Sequence, residues 1–311
     1  MCEGEWTEEV NSRGHRFKRC KGKHVNLSEM RKDPALNNIY LKKRDVPFYP
    51  ENVLFRASSV HHVTGESGLR SIFEDHGFKN RSEHSEPFLW WSLSVTDSEI
   101  ADAEDDFLSD SYLDEWADVE QPFLQKFTTS LAFQNKSPYG NFCFTFRLRE
   151  LLFWYARKFC GKSAPVFRVL DTRLYKQEIS YSVLVHPPHV RGYGQYPRLP
   201  RKLDALCGYS QGQVSWRCQA PSHALRHELN QDREGLWVET LRSKYYYVWD
   251  NVAIAFHMDP DWTLRVSRQK LYNNVSVCKI AEPKLLREPD TPLNKQEADE
   301  ILGELASKYG L

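Results

Sequence analysis

No stretch of this 311-residue chain carries 18 consecutive apolar residues, and its start, Met1-Cys-Glu-Gly-Glu-Trp6, lacks the apolar core of a secretory signal. Both absences point to a soluble protein with neither signal peptide nor membrane span. Net charge is absent as well. Lys plus Arg number 42 and Asp plus Glu number 42, so no global field draws the chain to nucleic acid or membrane, and such a partner has to be met by a local patch. The seven cysteines (Cys2, Cys20, Cys143, Cys160, Cys207, Cys218, Cys278) are scattered, odd in number and never spaced as CxxC. That excludes zinc-ribbon and zinc-finger spacings and points to reduced thiols, in cytoplasm or nucleus. A GxGxxG fingerprint and a Walker-type phosphate loop are both missing, which disfavours Rossmann and P-loop enzymes, and no internal repeat is visible.

What is plentiful is aromatic: 13% of the chain, with nine Trp and fifteen Tyr. Such a supply suits a core of aromatic-bearing strands or pockets for flat ligands, and composition does not choose between them.

Residues 1–48 are polar, with a basic cluster from Arg13 to His24, and read as an arm or loosely folded extension whose cations are solvated or meet phosphate. Beyond residue 49 strand and helix signals alternate. Strands are expected at Val53–Arg56, Pro87–Val95, Asn141–Leu148, Pro165–Leu170, Tyr175–Val185, Tyr245–Phe256 and Trp262–Val266. Helices are expected at Gly68–His76 (closed by Gly77), within the acidic stretch Asp97–Glu120, and at Glu150–Phe159 and Ser222–Asn230. In the acidic stretch Phe107, Leu108, Leu113 and Trp116 are the expected apolar contacts. A capped helix is expected after Thr291. The fold class is α+β, β-rich, with short helices. The main unit runs over 49–283, with its best internal break in the Pro/Gly/Arg-rich stretch 187–210, and 284–311 is a helical tail. One extended domain is expected, because Tyr245–Phe256 reads as a core strand that needs sheet partners.

Three short segments carry candidate chemistry. Arg56 ends an apolar strand, and its fixed fork of donors suits a pyrophosphate or a carboxylate, or a surface ion pair. In Trp90-Trp-Ser-Leu-Ser94 the two serines share a strand face behind two indoles, one of which can stack on a flat ring, or the segment is an ordinary sheet edge. Glu178 opens an apolar strand, where a carboxylate is costly unless exposed at the end or lining a polar site.

In that order, Arg in the first strand, Ile72-Phe-Glu-Asp-His-Gly77 in the helix, Ser-x-Ser after an aromatic pair and Glu at a late strand resemble the ADP-ribosyltransferase fold in its Arg–Ser–Glu arrangement. Leu54-Phe-Arg-Ala-Ser-Ser-Val-His-His-Val63 followed by Leu69–Gly77 resembles the opening of DarT-type nucleic-acid-modifying transferases. The resemblance covers roughly residues 50–190 and implies a split-sheet core that binds NAD. It implies that Arg56 holds the NAD diphosphate or ribose side, with Ser58, His61, His62, Trp91 and Ser94 in the cofactor cleft. Ser92 orders the carboxylate and Glu178 is the catalytic residue, in a substitution at the nicotinamide-bearing ribose carbon through an oxocarbenium-like transition state. Lys176 stands where many members carry Gln or Glu, so Lys176 and Gln177 face a protein or nucleic-acid acceptor, or the acceptor machinery is lost.

The reading that follows is a mono-ADP-ribosyltransferase-like protein. Beside it stand a catalytically silent transferase-like module that binds a partner, for instance in host defence, and an α+β interaction protein of unrelated fold. Rival constellations are thin. His223 and His227 sit one helical turn apart without a third ligand, Cys160 has no spacing that ties it to a base, and Tyr245–Trp249 suits core packing better than base stacking. No metal is expected.

Overall fold

Phe142–Arg147 shows how the main sheet is made. Phe142, Phe144 and Phe146 are at most 1% exposed, while on the other parity Cys143 is buried, Thr145 half-buried and Arg147 exposed. The computed structural model describes residues 5–10, 14–42, 46–80, 86–111, 122–128, 130–137, 139–220, 224–231, 235–246, 248–280 and 293–311. Among these, the largest sheet has nine strands in the order Trp6–Val10, Arg16–Lys21, Val166–Tyr175, Glu178–His186, Trp249–His257, Phe88–Ser94, Ser59–Thr64, Phe142–Arg147 and Val275–Val277. All neighbours are antiparallel except the central pair, Glu178–His186 beside Trp249–His257, which is parallel. The fold is thus α+β: one large mixed sheet with a few short helices.

One face of the sheet builds the principal core. Val183, Ile254 and Trp91 lie in one register row, and Phe146, Val60 and Leu93 in the next, all at most 1% exposed. Against this face pack Glu66–Asp75, through Phe73 on Phe144, and Leu148–Phe159, through Tyr155 on Phe256. The first helix ends where His76 turns left-handed (φ 53°) and Gly77 (φ 151°) pairs with Arg265, and a Cβ at Gly77 would stand 2.2 Å from the Leu264 carbonyl oxygen. The C-terminal helix Lys295–Tyr309 is opened by a capping box at Asn294 and Glu297, and it stacks Tyr309 on Phe73.

A second sheet of three strands, Cys207–Ser210, Gln213–Cys218 and Val53–Ala57, joins the same core through Trp216 and Phe55. Val53–Ala57 and Ser59–Thr64 are consecutive strands of one segment. The chain leaves the small sheet, bends at Ser58 and enters the large one.

Three expectations change. The segment read as an arm supplies Trp6–Val10 and Arg16–Lys21, an edge hairpin whose charges pair with each other and with the neighbouring strand. Of residues 222–230, read as helix, those from Ala224 onward lie in the strand Ala224–Gln231, because pairing with Leu236–Tyr246 overrides the local pattern. Of the i, i+4 histidine pair, His227 sits on this strand and His223 lies outside the described residues. Tyr245–Phe256 divides between the end of that hairpin and the central strand Trp249–His257, which does find sheet partners on both sides. The acidic stretch is helical over Asp97–Ser111, while Leu113 and Trp116 lie outside the described residues. No helix among the described residues is long and apolar enough to cross a membrane.

A polar sheet face as the candidate functional site

Because side chains alternate, the residues between the core positions all project from the other face. Register pairing links them into a row across six strands: Asp171, Ser182, Ala253, Ser92, His61 and Thr145. Every member is short or polar. A second row runs beside it, with Arg173, Ser180 and Asn251 at one end and Ser94, Ser59 and Arg147 at the other. A third carries Tyr175, Glu178 and Trp249. On the opposite side of the first row the face turns apolar, with Leu184, Ala255, Trp90 and Phe88.

Two walls bound this face. At the strand Ser59–Thr64 the segment Ala132–Ser137 rises beside His61, Ser94, Cys143 and Thr145 to enclose a cleft of about 270 Å³. Beyond Trp90, Tyr193 and Tyr196 of the loop after His186 lie over the small apolar cluster.

The floor is charged and tightly bonded at one end. Asp171, fully buried, accepts from Arg19 Nε at 2.5 Å and Arg173 Nε at 3.1 Å through one oxygen. Arg19 also donates to Glu9 and Glu86, and the Arg173 guanidinium lies 4.8 Å over the Trp90 ring. The other Asp171 oxygen, Oδ1, and the neighbouring Ser182 Oγ are buried without a hydrogen-bond partner among the described residues. Adjacent orphaned polar atoms on a polar floor are an unmet demand for hydrogen bonds.

Glu178 accepts from Asn251 Nδ2 at 2.9 Å, and burial pushes its carboxyl up to about 7 against the opposing pull of that bond. At neutral pH it is divided between acid and carboxylate. Burial pulls His61 down to about 4, with the adjoining His62 adding to the shift, so His61 is a neutral imidazole.

The residues singled out from the sequence divide by location. Ser92, Ser94, His61 and Glu178 share the polar face. Glu178 sits two strands over and four positions along from Ser92, which at ordinary strand spacing and rise is about 16 Å. Arg56 lies in the three-stranded sheet opposite Ser215, and its guanidinium is ion-paired with Asp106 of the acidic helix. Ser58 sits at the bend, bonded through N and Oγ to Glu99 Oε1 (2.8 and 2.7 Å) and through Oγ to Arg147. His62 and Trp91 point the other way, into the core, where they touch each other and Phe78. Lys176 and Gln177 form the tip of a two-residue hairpin, Lys176 exposed with φ 48° and Gln177 buried.

Residues of the face that the sequence reading missed include Trp90, Asn251, Ser182 and Asp171. Trp90 has the parity of Ser92 and Ser94 and was available from alternation. Asn251 and Ser182 become neighbours of Ser92 only through the parallel pairing of strands far apart in sequence. Compared with family profiles, with curated proteins and with solved structures, the chain matches none of them.

Proposed function

We propose that the polar sheet face binds a nucleotide of the NAD class, and that the chain is an ADP-ribosyltransferase-like module that holds this ligand without a convergent catalytic set. The observation that carries the reading is the six-strand row of short polar side chains with orphaned Asp171 Oδ1 and Ser182 Oγ at one end. Ribose hydroxyls both donate and accept, which is what a carboxylate oxygen, serine hydroxyls and a neutral imidazole in one row require. Trp90 beside them offers a flat apolar surface. The order of the Arg, Ser and Glu motifs along the chain supports the same class. The reading gives Arg56 no part in holding the ligand, because it lies in the three-stranded sheet and is ion-paired with Asp106 of the acidic helix.

Calorimetric titration of the protein with NAD and with ADP-ribose tests this. Wild type binds, and Ser92→Leu, which fills the row with an apolar side chain, lowers affinity at least tenfold with an unchanged thermal midpoint. Failure of the wild type to bind either nucleotide overturns the proposal and leaves an interaction protein of unrelated function.

A second reading, transfer of ADP-ribose to a protein or nucleic-acid acceptor, is favoured by one observation: Glu178 lies on the same face, held by Asn251. Its carboxylate would stabilise positive charge developing at the ribose carbon. Incubation with labelled NAD gives labelled product under this reading, and Glu178→Gln abolishes it. Binding without labelling leaves only the first reading.

A further inference from the structure

The loop that walls the apolar end of the face carries Arg191, Arg198, Arg201 and Lys202, all exposed, and no acidic residue between His186 and Leu203. None of these four cations makes an ion pair or hydrogen bond among the described residues. Arg198 is the informative one. It forms a bridge directly opposite Arg168, with Pro197 and Leu199 bonded to either side of that residue (Val169 N to Pro197 O, 2.9 Å; Leu199 N to Phe167 O, 3.0 Å). Like charges directly opposite each other on paired strands repel, a cost that an anion near Arg198 would relieve.

The loop is also held in place. Tyr193 Oη bonds His257 Nδ1 at 2.7 Å, and the other ring nitrogen of His257 faces Asp259 at 3.2 Å. Arg168 donates to the Tyr196 carbonyl at 2.5 Å and to His186 at 2.9 Å. A tethered loop loses little freedom when it binds. The basic N-terminal cluster comes to the same place. A Cβ at Gly22, between Lys21 and Lys23, would stand 3.5 Å from Pro197 and 3.8 Å from Tyr196, so segments some 170 residues apart meet here. Those two lysines are half-exposed and ion-paired with Glu9 at 3.2 Å and Glu29 at 3.5 Å.

We infer that this loop, with the Lys21–Lys23 turn, is a docking surface for the phosphodiester backbone of a nucleic acid. Exposed guanidiniums and an ammonium without acidic partners suit phosphates, and Arg198, set opposite Arg168, takes one of them. The surface borders the polar face but does not depend on nucleotide binding there, so it is tested without NAD.

The probe is a fluorescein-labelled single strand of about 20 nucleotides, followed by anisotropy between about 50 and 200 mM salt. Wild type binds, and the affinity falls steeply with salt. Arg191→Glu/Arg198→Glu/Lys202→Glu weakens binding by on the order of a hundredfold and flattens the salt slope by about 0.7 for each phosphate no longer neutralised. Lys32→Glu/Lys126→Glu/Lys295→Glu, the same charge change on other exposed positions, binds as wild type does. A neutral variant, Arg198→Gln, weakens binding severalfold while the thermal midpoint of the free protein holds or rises, because the opposed charge is gone. The inference is overturned if wild type does not bind. It is equally overturned if the distant triple variant loses as much as the loop variant, or if vesicles of phosphatidylserine and phosphatidylcholine bind the loop while the oligonucleotide does not.

Discussion

The two faces of the nine-stranded sheet share every strand and differ in what one residue's shift along the chain presents. On the core face sit Trp91, Leu93, Val60, Phe144, Phe146 and Ile254, sealed by helices and by the small sheet. On the other sit Ser92, His61, Thr145, Ser182 and Asp171, with only a small apolar cluster at one end. Stability therefore concentrates on one side and chemistry on the other. The alternation also locks the register, since a slip of one position would bury the hydroxyl row and expose the aromatic one. Adjacent residues with the same side chain are thus unequal: Trp91 is a core residue, and Trp90 is a platform under Arg173.

That inequality is the first thing to break. Trp91→Ala should lower the unfolding free energy by about 3–5 kcal/mol in urea titrations, as large-to-small core changes do. Trp90→Ala should cost clearly less, and equal costs would erase the distinction between the faces. Acid comes next. His24, His61 and His186 are each pulled down to about 4 by burial, so the unfolded chain takes up their protons first. Stability should fall as pH drops from about 6.5 toward 4, measured as thermal midpoint across that range.

Glu178 works in the opposite sense. Its folded value of about 7 lies above the unfolded one, so the folded state loses stability as pH rises between about 4.5 and 7, and the loss is complete above that window. Glu178→Gln should raise the thermal midpoint at pH 8 and leave it unchanged at pH 4. A gain at both would mean the effect is not titration. The smallest effect belongs to Ser182→Ala. Its hydroxyl is buried and unpartnered, so removal should change stability by no more than about 0.5 kcal/mol, or improve it. A loss comparable with Trp91→Ala would mean the hydroxyl is bonded after all.

Much of the sheet was legible because period-two patterns are local: Phe88–Ser94 and Phe142–Arg147 read directly as strands, and the Ser92/Ser94 pairing followed from parity. The same parity selects Trp90 for their face, where the family resemblance pointed to Trp91. What stayed hidden depends on distance. The bend at Ser58 sends Arg56 into a different sheet from His61, and nothing in Leu54–His62 announces it except a serine held by Glu99 and Arg147 from two other elements. The N-terminal strands are polar because they close an edge with ion pairs, so they look like a tail. Ala224–Gln231 takes its shape from a partner strand and not from its own spacing.

The strand Trp249–His257 lies between Glu178–His186 and Phe88–Ser94, yet all of residues 187–248 must be made before it exists. Until then the growing chain holds two incomplete half-sheets, each with a bare edge awaiting the same missing plank. Insertion of that plank is a late, long-range event, so assembly is slow for a chain of this size and exposed to wrong pairings on the ribosome. A truncation anywhere before His257 would leave that gap permanent.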